Sequence, residues 1–262
     1  YSFVILLAGY FSIQLISHHR LPKPYWISFG GVLAILSGSV IDAFVHSFVG
    51  VEIGLDAGLS FPHILIGYIG TPLACIGTYF SVRKREATKT SSWDKLLAVA
   101  SCALALAGIR HLSNSFHPLK IVNGQAQAII PASIILQTAL SITFLLILID
   151  GWDLPFGSVL LYTLISETGM AIIFSRSTFI LTILLSGIAS EILYQLIQPK
   201  KNALRLRIFA TVFPISFYIL HFSTRIILTD FQWLTPVWIG TVLLSGYTGL
   251  IASYLYNRPR IA

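Results

Sequence analysis

Charge is what this chain lacks most. Asp, Glu, Lys and Arg make up only 10% of its 262 residues, where a soluble domain carries about 25%. With 55% hydrophobic residues and a mean hydropathy of +0.81, that scarcity excludes an ordinary water-soluble globule. Cysteine is almost as sparse. Cys75 and Cys102 are the two present, each inside an apolar run, so they read as buried thiols. Neither a C-x-x-C metal clip nor the C-x-x-C-H of a covalently attached haem can be written. Walker, G-x-S-x-G and H-E-x-x-H motifs are missing too. Nothing marks a nucleotide, flavin or nucleic-acid site, and no cleavable signal peptide is recognisable.

What is there is long apolar sequence. A bilayer core takes about 20 apolar residues per helix. Nine runs qualify: 3–17, 27–49, 62–82, 96–112, 128–149, 155–174, 177–197, 208–228 and 235–256. The expectation is an all-α, polytopic transmembrane bundle of about nine helices, forming a single integral membrane domain over 1–262. Pro62, Pro131, Pro155 and Pro236 stand near run starts, where a missing N–H is harmless. Pro214 lies inside the eighth run.

The few basic residues are unevenly placed. Of 17 Lys and Arg, 13 fall in alternate loops and the C-terminal tail, chiefly "RKREATKTSSWDK" and "PKKNALRLR". Only Arg110, Lys120, Arg176 and Arg225 lie elsewhere. By the positive-inside bias the first set is cytoplasmic, the N-terminus is outside and the C-terminus inside. The +7 charge then needs no nucleic acid; the expected partners are the lipid bilayer and other membrane subunits of a complex. The chain is placed as a multi-pass protein of a prokaryotic cell membrane.

This topology gathers polar residues on the outer half: His46, His63, His111, His117 and His221, with Asp42, Glu52, Asp56 and Asp230. Asp42 and His46 are four apart, on one helical face. An ionised carboxylate at that depth costs several kcal/mol unless it is paired or binds a cation. One carboxylate with neutral imidazoles is a mixed N/O donor set suited to copper, zinc or iron. The same two residues can also simply lock their helix through an Asp–His hydrogen bond. Arg110 is a further possible partner for Asp42, at the expense of a metal. Glu167 and Glu191 are read as packing residues within their helices.

The segment "IDAFVHSFVGVEIGLDAGLSFPH", Ile41 to His63, combines D-x3-H, an acidic loop and S-x-P-H. It resembles the metal-site segment of the C subunit of particulate methane and ammonia monooxygenases, and similar uncharacterised prokaryotic membrane proteins. The residues that carry the resemblance are Asp42, His46, Gly50, Glu52, Ser60, Pro62 and His63, about 40 residues of the chain in all. It departs in a longer His46–His63 spacing and in Val45, where those families have tryptophan. The resemblance implies a metal held by Asp42, His46 and His63, usually assigned as copper, with His111 or His117 as a further ligand.

Three functional expectations follow. The first is a metal-binding subunit of a membrane-bound, monooxygenase-like oxidoreductase complex, with copper as its ion and zinc or iron as the other ions this donor set takes. The second is a non-catalytic accessory or scaffold subunit. The third is a b-type cytochrome, with haem between two of His46, His63, His111 and His221.

Overall fold

The structure is a computed structural model that describes residues 2–19, 21, 25–48, 50, 60–83, 91–112, 119–122, 125–129, 131–174, 177–228 and 235–256. Helices dominate it. In chain order they are α1 (Ser2–His18), α2 (Trp26–Phe48), α3 (Phe61–His63), a π-helical stretch (Ile64–Gly70), α4 (Thr71–Arg83) and α5 (Ser92–Leu112). After a short hairpin, β1 (Leu119–Val122) and β2 (Gln125–Ile129), come α6 (Pro131–Gly151), α7 (Ser158–Phe174) and α8 (Ser177–Ile197). A 3-10 turn (Pro199–Lys201), α9 (Ala203–Leu228) and α10 (Thr235–Tyr256) complete the chain. Among the described residues, five helices are long and apolar enough to cross a membrane: Trp26–Phe48, Pro131–Gly151, Ile180–Lys201, Ala203–Leu228 and Val237–Tyr256. The chain is an α-helical bundle of an integral membrane protein. Its outward side chains agree: Val40, Phe44, Phe48, Leu196, Leu243 and Leu255 are all well exposed, which suits lipid and not water.

Where helix limits differ from the apolar runs, local chemistry accounts for it. The fifth run was expected to be helical from 128, but Gln125–Ile129 is a strand paired antiparallel with β1, and α6 opens on Pro131. Proline disfavours helix in the residue before it, so the helix starts at the proline itself. Helix α5 begins ahead of its apolar run because Ser91 and Asp94 cap it reciprocally. Asp94 Oδ2 accepts from the Ser91 amide at 3.1 Å, and Ser91 Oγ accepts from the Asp94 amide at 3.2 Å, an N-terminal box. Helix α9 likewise gains a turn from Asn202, whose Oδ1 accepts from the Arg205 amide at 2.8 Å.

The described helices fall into two compact units, residues 1–115 and 116–262. In the first, Phe11, Leu21, Val32, Ile35 and Ala74 form the core. The α2 positions Gly31, Ile35 and Gly38 run down one face at helical spacing. That face meets the π stretch and α4 closely. A Cβ on Gly38 would collide with Ile66 and press on the Pro62 carbonyl, and one on Gly31 would strike the Ala74 backbone. The π stretch ends at Thr71-Pro72. Pro72 has no N–H for the carbonyl four residues back; the Thr71 amide and hydroxyl both bond to the Ile66 carbonyl instead, five residues back.

In the second unit, Ile134, Tyr218, Phe222 and Val242 form a core cluster. Pro214 lies inside α9 and supplies no N–H to the Ala210 carbonyl. Gly249 of α10 lies directly against that carbonyl, where a Cβ would clash. Helices α6 and α7 are tied by the Tyr162 hydroxyl donating to the Ser141 carbonyl at 2.8 Å. Helices α8 and α9 are tied by Thr182 and Thr224, with 2.6 Å between hydroxyls. The two cysteines, both in the first unit, are free and buried.

Candidate functional site

Asp42, His46 and His63 meet where α2 ends and α3 begins. The i, i+4 spacing sets Asp42 and His46 on one face of α2, and Gly38 one turn earlier lets the α3 backbone come in against that face. The next chain segment opens with Ser60 in extended conformation and Pro62 in the first turn, which suits a helix start. His63 then stands beside Asp42. His46 Nε2 is 3.7 Å and His63 Nδ1 is 3.6 Å from the same Asp42 Oδ1. The two imidazole rings are 6.5 Å apart between centroids, inclined at 48°. Ser60 Oγ lies 2.8 Å from His63 Nδ1 and fixes the orientation of that ring. All three side chains are partly exposed, Asp42 least at 23%. Its Oδ1 atom is nevertheless buried and makes no hydrogen bond. That is the signal of a site: a buried carboxylate oxygen with two imidazoles just beyond hydrogen-bonding range.

Two donors that each lie about 2.1 Å from one metal ion are roughly 3–4 Å apart, and both Asp42–imidazole distances fall in that range. The edge between the histidines is looser. Rings sharing an ion at that distance have centroids roughly 5–6.5 Å apart, so 6.5 Å is at the outer limit. Accordingly, among the described residues no group of three or more His, Cys, Asp or Glu is arranged to hold a metal as it stands. The residues fit an ion that draws two rings toward a shared carboxylate, in chemistry and in two of three edges. They do not form a closed cage. A porphyrin between His46 and His63 has no room, because Asp42 Oδ1 lies within 3.7 Å of a nitrogen of each ring.

His111 belongs to the last turn of α5, but its side chain lies outside the described residues, as do His117, Glu52, Asp56, Asp230 and the side chains of Arg110 and Arg225. His221 is in α9 of the second unit, stacked on Phe217 at 14° and edge-on to Tyr218 and Phe222. Glu191 is 3% exposed, with Oε2 accepting from the Val159 and Leu160 amides at 2.9 and 3.2 Å and Oε1 from Gln195 at 2.7 Å. It caps the N-terminus of α7 from a neighbouring helix. No sequence pattern announced that role; the contact joins residues 32 apart.

No family model, no curated protein and no solved structure matches the chain.

Proposed function

We propose that this chain is a metal-binding subunit of a membrane-bound oxidoreductase complex, with the ion held by Asp42, His46 and His63. The observation that carries the reading is the buried Asp42 Oδ1, which makes no hydrogen bond and has an imidazole nitrogen at 3.6 Å and another at 3.7 Å. A mixed carboxylate and imidazole set takes copper, zinc or iron. Copper is favoured by the resemblance over residues 42–63 to monooxygenase C subunits, which rests on those residues alone. A bound ion supplies Lewis-acid or redox chemistry. The chain supplies the donors, with His63 Nδ1 passing from Ser60 Oγ to the ion, and the helices that carry them present the exposed apolar side chains Phe44, Phe48 and Phe61 to the bilayer. That setting suits a small apolar substrate arriving from the bilayer. His111 and His117 are proposed as further ligands. The proposed topology has nine crossings, with the cluster at the outer face and the basic loops in the cytoplasm, on the strength of the 13-to-4 division of Lys and Arg.

The open edge between His46 and His63 favours one other reading, an accessory subunit in which the three residues only pin α2 to α3. Metal analysis separates the two. Protein purified in detergent from copper-, zinc- or iron-supplemented cells carries about one ion per chain on the first reading, and Asp42→Ala and His63→Ala carry none. Protein without stoichiometric metal, or an unchanged content in both variants, leaves the accessory role.

A further inference from the structure

A second polar feature lies far from that cluster in the sequence. Asp153, Tyr194, Gln195, Gln198, Lys200 and Lys201 line a cavity of about 330 Å³ where α8 passes into α9. We propose that this cavity binds the phosphate group of an anionic phospholipid headgroup, one that carries no compensating cation.

Its position supports a lipid. The apolar stretch Ile180–Lys201 ends there and the next, Ala203–Leu228, begins two residues on, so the connection lies at the polar boundary of the bilayer. Phe156, in the turn after Asp153, is 82% exposed, an aromatic ring suited to the interface. The chain reverses sharply at Gln198, whose φ of 50° is left-handed, and this brings the two lysines of the 3-10 turn back over the end of α8.

The charges support an anion. Lys200 Nζ is 3.1 Å from Asp153 Oδ1, which fixes that ammonium at one wall. Lys201 is exposed and has no partner among the described residues. Glu191 already takes the Val159 and Leu160 amides, so the cavity's donors are its side chains and not the helix N-terminus. Gln195 directs its amide nitrogen to Glu191 and leaves Gln198 as the neutral amide donor. One turn into α9, Arg207 lies over the Tyr254 ring at 3.9 Å with its Nε buried and unbonded. This end of the unit has more cationic donors than protein acceptors. A phosphate diester completes the set, and its acyl chains continue along the apolar helices.

The test uses the full chain in a neutral detergent and reads the thermal unfolding midpoint during titration. The additives are phosphatidylglycerol, phosphatidylcholine, glycerol 3-phosphate and inorganic phosphate. Phosphatidylglycerol is expected to raise the midpoint well above phosphatidylcholine, with little effect of the soluble phosphates. Lys201→Gln should move the half-saturating lipid concentration up by about fivefold, the value of one lysine near an anionic lipid surface. Lys200→Gln should move it the same way, and Lys95→Gln, outside the cavity, should not move it. Equal shifts from the two lipids, or a Lys201→Gln titration that overlays the parent, overturns the site. A midpoint raised fully by inorganic phosphate or glycerol 3-phosphate overturns the lipid assignment and leaves a soluble phosphate as the ligand.

Discussion

Glu191 holds the first turn of α7 by accepting the Val159 amide at 2.9 Å through the same carboxylate oxygen that takes the Leu160 amide at 3.2 Å. Two of the four amides a helix leaves unpaired at its start are thereby satisfied from α8, inside the bundle. Glu191→Ala removes the one oxygen that takes both amides and leaves buried donors, which should cost about 1–3 kcal/mol. Glu191→Gln keeps a carbonyl oxygen and should cost less. Thermal unfolding in detergent ranks the two; equal loss would mean that the charge, not the acceptor, sets the stability.

Gly38 controls how close α3 comes to α2. An added methyl meets Ile66 and the carbonyl of Pro62, the residue that precedes His63. Gly38→Ala should destabilise the chain by about 1–3 kcal/mol and, by moving His63 off Asp42, lower metal content as well. Gly30 has open space where its Cβ would stand, so Gly30→Ala is the matched control. Parallel unfolding and metal assays check both effects; retained metal in a destabilised Gly38→Ala protein would show that the cluster adjusts.

Thr182 and Thr224 share one hydroxyl hydrogen bond at 2.6 Å, and Thr224 also reaches the Leu220 carbonyl at 2.7 Å. Thr182→Val keeps the shape and removes the interhelical bond. Interhelical hydrogen bonds in membranes average about 0.6 kcal/mol with a maximum near 1.7, so the unfolding midpoint should fall only slightly. A large fall would assign Thr182 a wider network.

The 3-10 turn at Pro199–Lys201 tests orientation. With Cys75 and Cys102 replaced, a single cysteine at Asn202 should resist a membrane-impermeant maleimide in intact cells and react after permeabilisation. Labelling in intact cells would invert the proposed topology and move the Asp42 cluster to the cytoplasmic face.

Sequence pattern made the helices legible because apolar length is a strong signal in a chain with so few charges. It also brought Asp42, His46 and His63 together, since i, i+4 spacing and a short reversing loop leave few alternatives. The hairpin at Leu119–Ile129 was missed although "LKIVNGQAQAI" carries Asn-Gly between its two strands, a strong hairpin signal. Its Ala and Ile residues continue into the apolar run that opens at Pro131 and were read as the start of that helix. Glu191 was read as packing, yet its cap is a tertiary contact that no local pattern encodes. The shift to π geometry over Ile64–Gly70 was equally hidden, since Pro72 predicts a lost bond but not how the chain re-pairs.

That π stretch ties the placement of His63 to chain length. Each residue of an α-helix turns the chain by about 100°, and a π-helical turn holds more residues than an α-helical one. The seven residues Ile64–Gly70 therefore turn the chain about as far as six α-helical residues would. Deleting one residue there would let the segment relax to α-helical winding with His63 still on the face of Asp42 while α4 stays seated on α2. Deleting a second has no such slack and would turn His63 by about 100° off that face. The alignment of the two residues is therefore set by a count, with one residue held in reserve by the π winding.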